Sequence, residues 1–212
     1  MNLPIYVLSL IISVVNGNIF LDSECNILSS KSIEWNRLQG LWYLTLNHEG
    51  DHLSSDRFCI ATTYFGIVGD GVAFVKHVIS RNGDPETKLI SYPEYYQEDH
   101  NMRPGTVMPQ PVSQLKYMKD TLYLRPNAVT DVFTELLQSY KSPATFSTDY
   151  DTYYMIEQCG ADGKRMVHVY TRSENPSESE ISIVNDALKS RNVNATMVVS
   201  DSCVDIGLAM LK

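Results

Sequence analysis

From Gly40 to Ser80 apolar and polar residues alternate with a period of two, the mark of half-buried strands. GLWYLTLNH, CIATTYFGIV and GVAFVKHVIS are three such runs, and Gly69-Asp70-Gly71 supplies turn chemistry between the last two. Arg81-Asn82-Gly83-Asp84 then turns the chain into TKLISY. The alternation fails next: SYPEYYQEDHNMRPGTVMPQPV mixes prolines, aromatics and charges without a period, and reads as a long loop of the kind that usually carries function. LKYMKDTLYLRP reads as a strand or tight hairpin and TDVFTELLQSYK as a short helix. Strand patterning returns in ATFSTDYDTYYMIEQC and RMVHVYTRS, separated by the turn GADGK.

The period changes once more near the C-terminus. In NPSESEISIVNDALKSRN, Ser177 is placed to cap a helix, Glu180 stands three residues later, and Ile181, Val184 and Leu188 fall on one helical face. Many short strands followed by one amphipathic helix predict an all-β fold, an eight-stranded up-and-down antiparallel β-barrel with that α-helix packed outside. A filled β-sandwich is the structural rival. A barrel of about eight strands can enclose one small ligand.

The first seventeen residues, MNLPIYVLSLIISVVNG, are apolar and uncharged and end on small residues, so residues 1–17 read as a signal peptide and 18–212 as one domain. A run of this length is too short to cross about 30 Å of hydrocarbon comfortably, and no later segment is apolar enough to do so. Secretion changes how the cysteines read. Cys25, Cys59, Cys159 and Cys203 are an even set suited to two disulfides, with three connectivities open, and they lack the spacing of a zinc site. The formal charge of −8 repels phosphate backbones and makes nucleic acid a poor partner. Asn194-Ala195-Thr196 is an acceptor for N-glycosylation on the secretory route.

Several short strings, in order, resemble a known family. Gly40-Leu41-Trp42-Tyr43 resembles the first motif of lipocalins, Thr148-Asp149-Tyr150 their second, and Arg172 the arginine of their third. CIATTY and TDYDTYYMIEQC are similar to strands of the apolipoprotein D and insect bilin-binding branch. The resemblance covers the chain from about Cys25 to Cys203, apart from a longer insert around residues 92–144. It implies a secreted carrier of a small hydrophobic ligand, the pairings Cys25–Cys159 and Cys59–Cys203, and a barrel floor closed by Trp42.

Strand parity then selects the wall residues, since alternate side chains face the lumen. With Trp42 on the floor, Leu44, Leu46 and His48 point inward. The family pattern puts Tyr64 in the cavity, with Ile60 and Thr62 on the same face. Counting from the glycine turn places Ala73, Val75 and His77 inward, and counting back from Arg172 does the same for Met166, His168 and Tyr170. His77 and His168 would then share a pocket and orient a polar group of the ligand, or serve as hydrogen-bonded wall residues. Lipid, steroid, carotenoid and a tetrapyrrole such as biliverdin all suit such a barrel. Haem ligation through one histidine has nothing else behind it. Amine binding would need an inward carboxylate, for which Glu157 is the strand candidate.

No enzymatic constellation emerges, because a nucleophile needs an adjacent base and the cysteines are committed to disulfides. No metal motif occurs. The rival function is protein recognition outside the cell, as in a salivary inhibitor, through the 92–144 insert with Tyr92, Tyr95, Tyr96 and Met102, the barrel serving as scaffold.

Overall fold

A computed structural model describes residues 19–25, 27–48, 58–80, 89–98, 102, 104–110, 142–159 and 164–199. Its strands are β1 (Ile19–Glu24), β2 (Leu41–Leu44), β3 (Leu46–His48), β4 (Phe58–Val68), β5 (Gly71–Ser80), β6 (Leu89–Glu98), β7 (Thr106–Gln110), β8 (Ala144–Thr148), β9 (Tyr153–Cys159), β10 (Lys164–Thr171) and β11 (Met197–Val199). A 3-10 turn spans Trp35–Leu38, and one helix, α1, spans Glu178–Ser190. Eight strands, β2 and β4 to β10, pair antiparallel in chain order, and β10 returns to β2 through Thr171 and Tyr43 to close the barrel. β1 pairs with the other end of β10, from Lys164 to Val167.

Strand β2 stops at Thr45, whose hydroxyl lies 3.0 Å from that of Thr171. The chain leaves the barrel there, and β3 pairs instead with β11. Leu46 is therefore fully buried under α1 with Val167, Val169 and Met155, outside the lumen. The expectation that Leu46 continues the inward face of Leu44 is corrected by this break, which resets the two-residue alternation.

The helix begins as its sequence predicts. Ser177 accepts a hydrogen bond from the Glu180 N–H, and the Glu180 carboxylate accepts one from the Ser177 N–H at 2.7 Å. Val184 and Leu188 are completely buried against the outer wall, each contributing roughly 1.5–3 kcal/mol by apolar burial. Beneath the helix's C-terminal end the buried Glu157 carboxylate accepts hydrogen bonds from Arg165 and Arg191, and Arg191 also donates to the Leu28 carbonyl at 2.9 Å. Glu157 thus faces outward and ties β9 and β10 to the helix; it is not the inward carboxylate that amine binding would require.

A single irregularity decides which face of β5 lines the barrel. Across the β4–β5 hairpin Val68 pairs with Gly71 and Gly66 with Ala73, but Tyr64 pairs with Phe74. Phe65 is the extra residue of a β-bulge, next to Gly66 at φ +150°, a backbone conformation that favours glycine. The bulge sets Tyr64 opposite Phe74 rather than Val75, so β5 faces opposite to an uninterrupted count through the turn. Val72, Phe74 and Lys76 point inward, while Ala73 and Val75 pack with Tyr95 on the outside.

The segment expected as a long loop is in large part sheet. β6 takes Ser91 to Glu98 into the barrel, and β7 follows after a short connection. Tyr95 and Tyr96 are buried in the wall and the core, and Met102 is exposed. The strand or hairpin expected at LKYMKDTLYLRP, the short helix at TDVFTELLQSYK and the signal segment 1–17 lie outside the described residues. Among the described residues no helix is long and apolar enough to cross a membrane.

Candidate functional site: the barrel lumen

The closed end comes directly from the GLWY and TDY strings. Gly40 has φ +99°, and a β-carbon there would stand 3.0 Å from Arg172 Nη1. Its absence lets the arginine lie flat over the Trp42 ring, 3.6 Å from the centroid. The same guanidinium donates to the carbonyls of Gln39, Arg37 and Tyr150. Asp149 Oδ1 accepts from the N–H groups of Asp151, Thr152 and Tyr153, fixing the β8–β9 turn, and the Thr148 hydroxyl accepts from the Tyr150 N–H. Tyr150 accepts from the Glu34 N–H at 2.9 Å. The 3-10 turn adds Trp35 and Leu38 to this floor, and the Leu38 carbonyl accepts the Trp42 indole N–H at 2.9 Å. Trp35 in turn donates to the Glu98 carboxylate.

Above the floor the lumen is filled by rings. Phe74, Phe146, Tyr154 and Tyr170 stack on one another, with Trp42 and Tyr96 edge-on, at centroid separations from 4.6 to 6.2 Å. Tyr64 is inward, as expected, but it belongs to this packed end: its hydroxyl donates to Asn36 at 3.1 Å and its ring meets the face of Phe74. Leu44 is also inward and buried in the same core.

A polar level lies on the far side of these rings. Lys76 Nζ stands 2.8 Å from Glu94 Oε1, their side chains 12% and 8% exposed although both point into the barrel. Lys76 also bonds to the Tyr170 hydroxyl, so it bridges from β5 toward β10 across the lumen. Burial pushes Tyr170 up to about 12. Thr62 and Tyr154 share a hydrogen bond, and burial raises the Tyr154 hydroxyl well above its ordinary value. His168 completes the level. Its Nδ1 is buried and has no hydrogen-bond partner among the described residues. Burial, and next the charge of Lys76, holds the imidazole down to about 3. Ile60, Met166, Ile156 and Gln158 continue the inner wall beyond it.

Of the wall residues expected from the sequence, Leu44, Tyr64, Met166, His168 and Tyr170 face inward, and only Met166, His168 and Tyr170 lie at or beyond the polar level. Ala73, Val75 and His77 do not line the lumen, because the Phe65 bulge turns them out. His77 is held on the outer wall between the hydroxyls of Thr63, 3.1 Å from Nε2, and Ser91, 2.8 Å from Nδ1. Burial lowers it to about 4. The two histidines therefore do not share a pocket. For His48 the side chain lies outside the described residues. Lys76 and Glu94 were missed, and the available signal was a lysine at the centre of the apolar run GVAFVKHVIS.

Cys25 and Cys159 form a disulfide, as the resemblance implies. Cys59 is disulfide-bonded, and its expected partner, Cys203, lies outside the described residues. Asn194 is exposed between α1 and β11. No group of histidine, cysteine and carboxylate side chains suited to a metal occurs among the described residues.

No protein-family model and no curated protein matches the chain. Solved structures do. The cockroach allergen Per a 4 is 13% identical, with 86% of this chain and 99% of the allergen covered at a TM-score of 0.52. A biogenic amine-binding protein is 15% identical over 85% of this chain and 88% of its own, TM-score 0.53. The amine-binding protein of Rhodnius prolixus, solved with tryptamine, is 16% identical over 86% and 89%, TM-score 0.51. The barrel order, the helix on its wall and these likenesses agree on one architecture: the chain has the lipocalin fold, an eight-stranded antiparallel barrel closed at the Trp42 end.

Proposed function

We propose that this chain is an extracellular binding protein that carries one small, largely apolar molecule in the upper part of its barrel, without a chemical step. The observation that carries this reading is the level of Lys76, Glu94 and His168. These are inward-facing polar side chains, Lys76 and His168 half-buried and Glu94 buried, in a lumen whose lower part is packed with aromatic rings. Apolar wall gives affinity by desolvation and a few polar groups give orientation, the usual division of labour in a small-molecule site. Secretion is supported by the uncharged apolar leader and by the Cys25–Cys159 bridge, which suits an oxidising compartment. Exposure of Asn194 supports its use as a glycosylation site. The ligand classes that fit this reading are a neutral lipid, a steroid or a carotenoid; a fatty acid or a tetrapyrrole such as biliverdin brings carboxylates that would compete with Glu94 for Lys76.

The amine-binding proteins of like fold support a small ligand in a barrel of this shape. Here the inward carboxylate of Glu94 already has a lysine partner, which weighs against a simple amine site. The recognition role through Tyr92, Tyr95, Tyr96 and Met102 is weakened because Tyr95 and Tyr96 are built into the barrel.

Expression through a secretory route, followed by an absorption spectrum and mass spectrometry of the purified protein, tests the carrier reading. A co-purifying apolar molecule, near one per chain and released on denaturation, is the expected result. A folded protein that retains nothing and binds no apolar probe overturns it.

A further inference from the structure

We infer that the lumen selects uncharged ligands bearing a single hydrogen-bonding head group, an alcohol or a carbonyl, and rejects both carboxylates and amines. This deepens the carrier reading and rests on it.

The inference follows from how charge is balanced at the polar level. Among the described side chains, Lys76 and Glu94 are the ionic groups facing that level, and they neutralise one another at 2.8 Å. Glu98, on the same face of β6, belongs to the closed end, where it accepts from Trp35. The described inward side chains of β2, β4, β7, β8 and β9, among them Leu44, Ile60, Thr62, Ile156 and Gln158, carry no charge at neutral pH, and the phenol of Tyr154 is held neutral by burial. An entering carboxylate would have to take Lys76 from Glu94 and leave that carboxylate unpaired; an entering ammonium would do the converse to Lys76. Either exchange buries an uncompensated charge, which costs several kcal/mol.

What the level offers without such an exchange is His168 Nδ1. Uncharged at neutral pH, this nitrogen presents an N–H or a lone pair according to tautomer, so it can meet a hydroxyl in either sense and a carbonyl as donor. A neutral head group satisfies the orphaned nitrogen and leaves the ion pair intact.

Three probes of equal chain length separate the cases: 1-dodecanol, dodecanoate and dodecylammonium, titrated at pH 7.4 by isothermal titration calorimetry. The wild-type protein is expected to bind the alcohol at least about tenfold more tightly than either ion. Glu94→Gln leaves a lone cation and should shift preference toward dodecanoate by about tenfold or more, while Lys76→Met should shift it equally toward dodecylammonium. His168→Leu should weaken the alcohol about tenfold and leave the order of the two ions unchanged. Either ion binding the wild type as tightly as the alcohol overturns the inference while leaving the carrier reading standing, and so does a ranking that neither charge variant moves. Failure of all three probes on folded protein removes both. Should the single variants fail to fold, the wild-type ranking decides alone.

Discussion

Arg172 serves the floor of the barrel with two distinct properties, a cationic face on Trp42 and a fork of N–H donors on three carbonyls. Lysine has neither the plane nor the fork. Arg172→Lys and Arg172→Met should therefore both destabilise, the second by about 2–4 kcal/mol, read as a lower urea midpoint at unchanged slope. His77 and His168 predict a pH dependence. Both have folded values, about 4 and about 3, below the ordinary 6.5. The unfolded chain thus binds more protons than the folded one between those limits, and stability falls as pH drops from about 6.5. Each histidine contributes a slope of at most about 1.4 kcal/mol per pH unit. Urea unfolding at pH 7, 6 and 5 checks this, and His77→Gln should flatten the curve while a flat wild-type curve would contradict it.

At the scale of elements, the helix is held to the barrel by packing and by the buried Glu157 with its two arginines. Glu157→Gln strands both guanidinium groups and should cost about 3–5 kcal/mol, whereas Ser177→Ala, which removes one half of the capping box, should cost about 1 kcal/mol. A thermal or urea series on the two variants separates a buried ion cluster from a surface cap. The same elements show what could be read in advance. The helix was legible to its cap because capping and the 3.6-residue stripe are local, and β4, β8, β9 and β10 were legible because runs rich in β-branched and aromatic residues, bounded by turn residues, mark strands whichever way they face. β6 was not, and the reason is physical: it carries Glu94 and Glu98 on its inner face, so it violates the apolar-in rule where the polar level needs it to. The facing of β5 was hidden for another reason, since a bulge leaves almost no trace in composition. The departure of β3 at Thr45 is similarly silent, because Leu46 is apolar in either setting.

For the molecule as a whole, the Cys25–Cys159 bridge ties the chain's N-terminal part to the barrel wall across a sequence separation of 134. Replacing both cysteines by serine should lower stability by up to about 5 kcal/mol in the chain-entropy model, measured as the loss of urea midpoint against the oxidised protein. Reduction of the wild type should reproduce at least that loss. The bulge at Phe65 works on a local scale, within one hairpin. Because Phe65 is the unpaired extra residue, deleting it would leave Tyr64 opposite Phe74 and keep Val72, Phe74 and Lys76 on the inner wall, whereas pairing it regularly would set Tyr64 opposite Val75 and bring Ala73, Val75 and His77 inward. The hairpin can therefore shed that residue and keep its ring-filled, ion-paired interior. What the lumen cannot tolerate is the residue drawn into the ladder, since that single slip would trade a buried lysine for an imidazole along the whole strand.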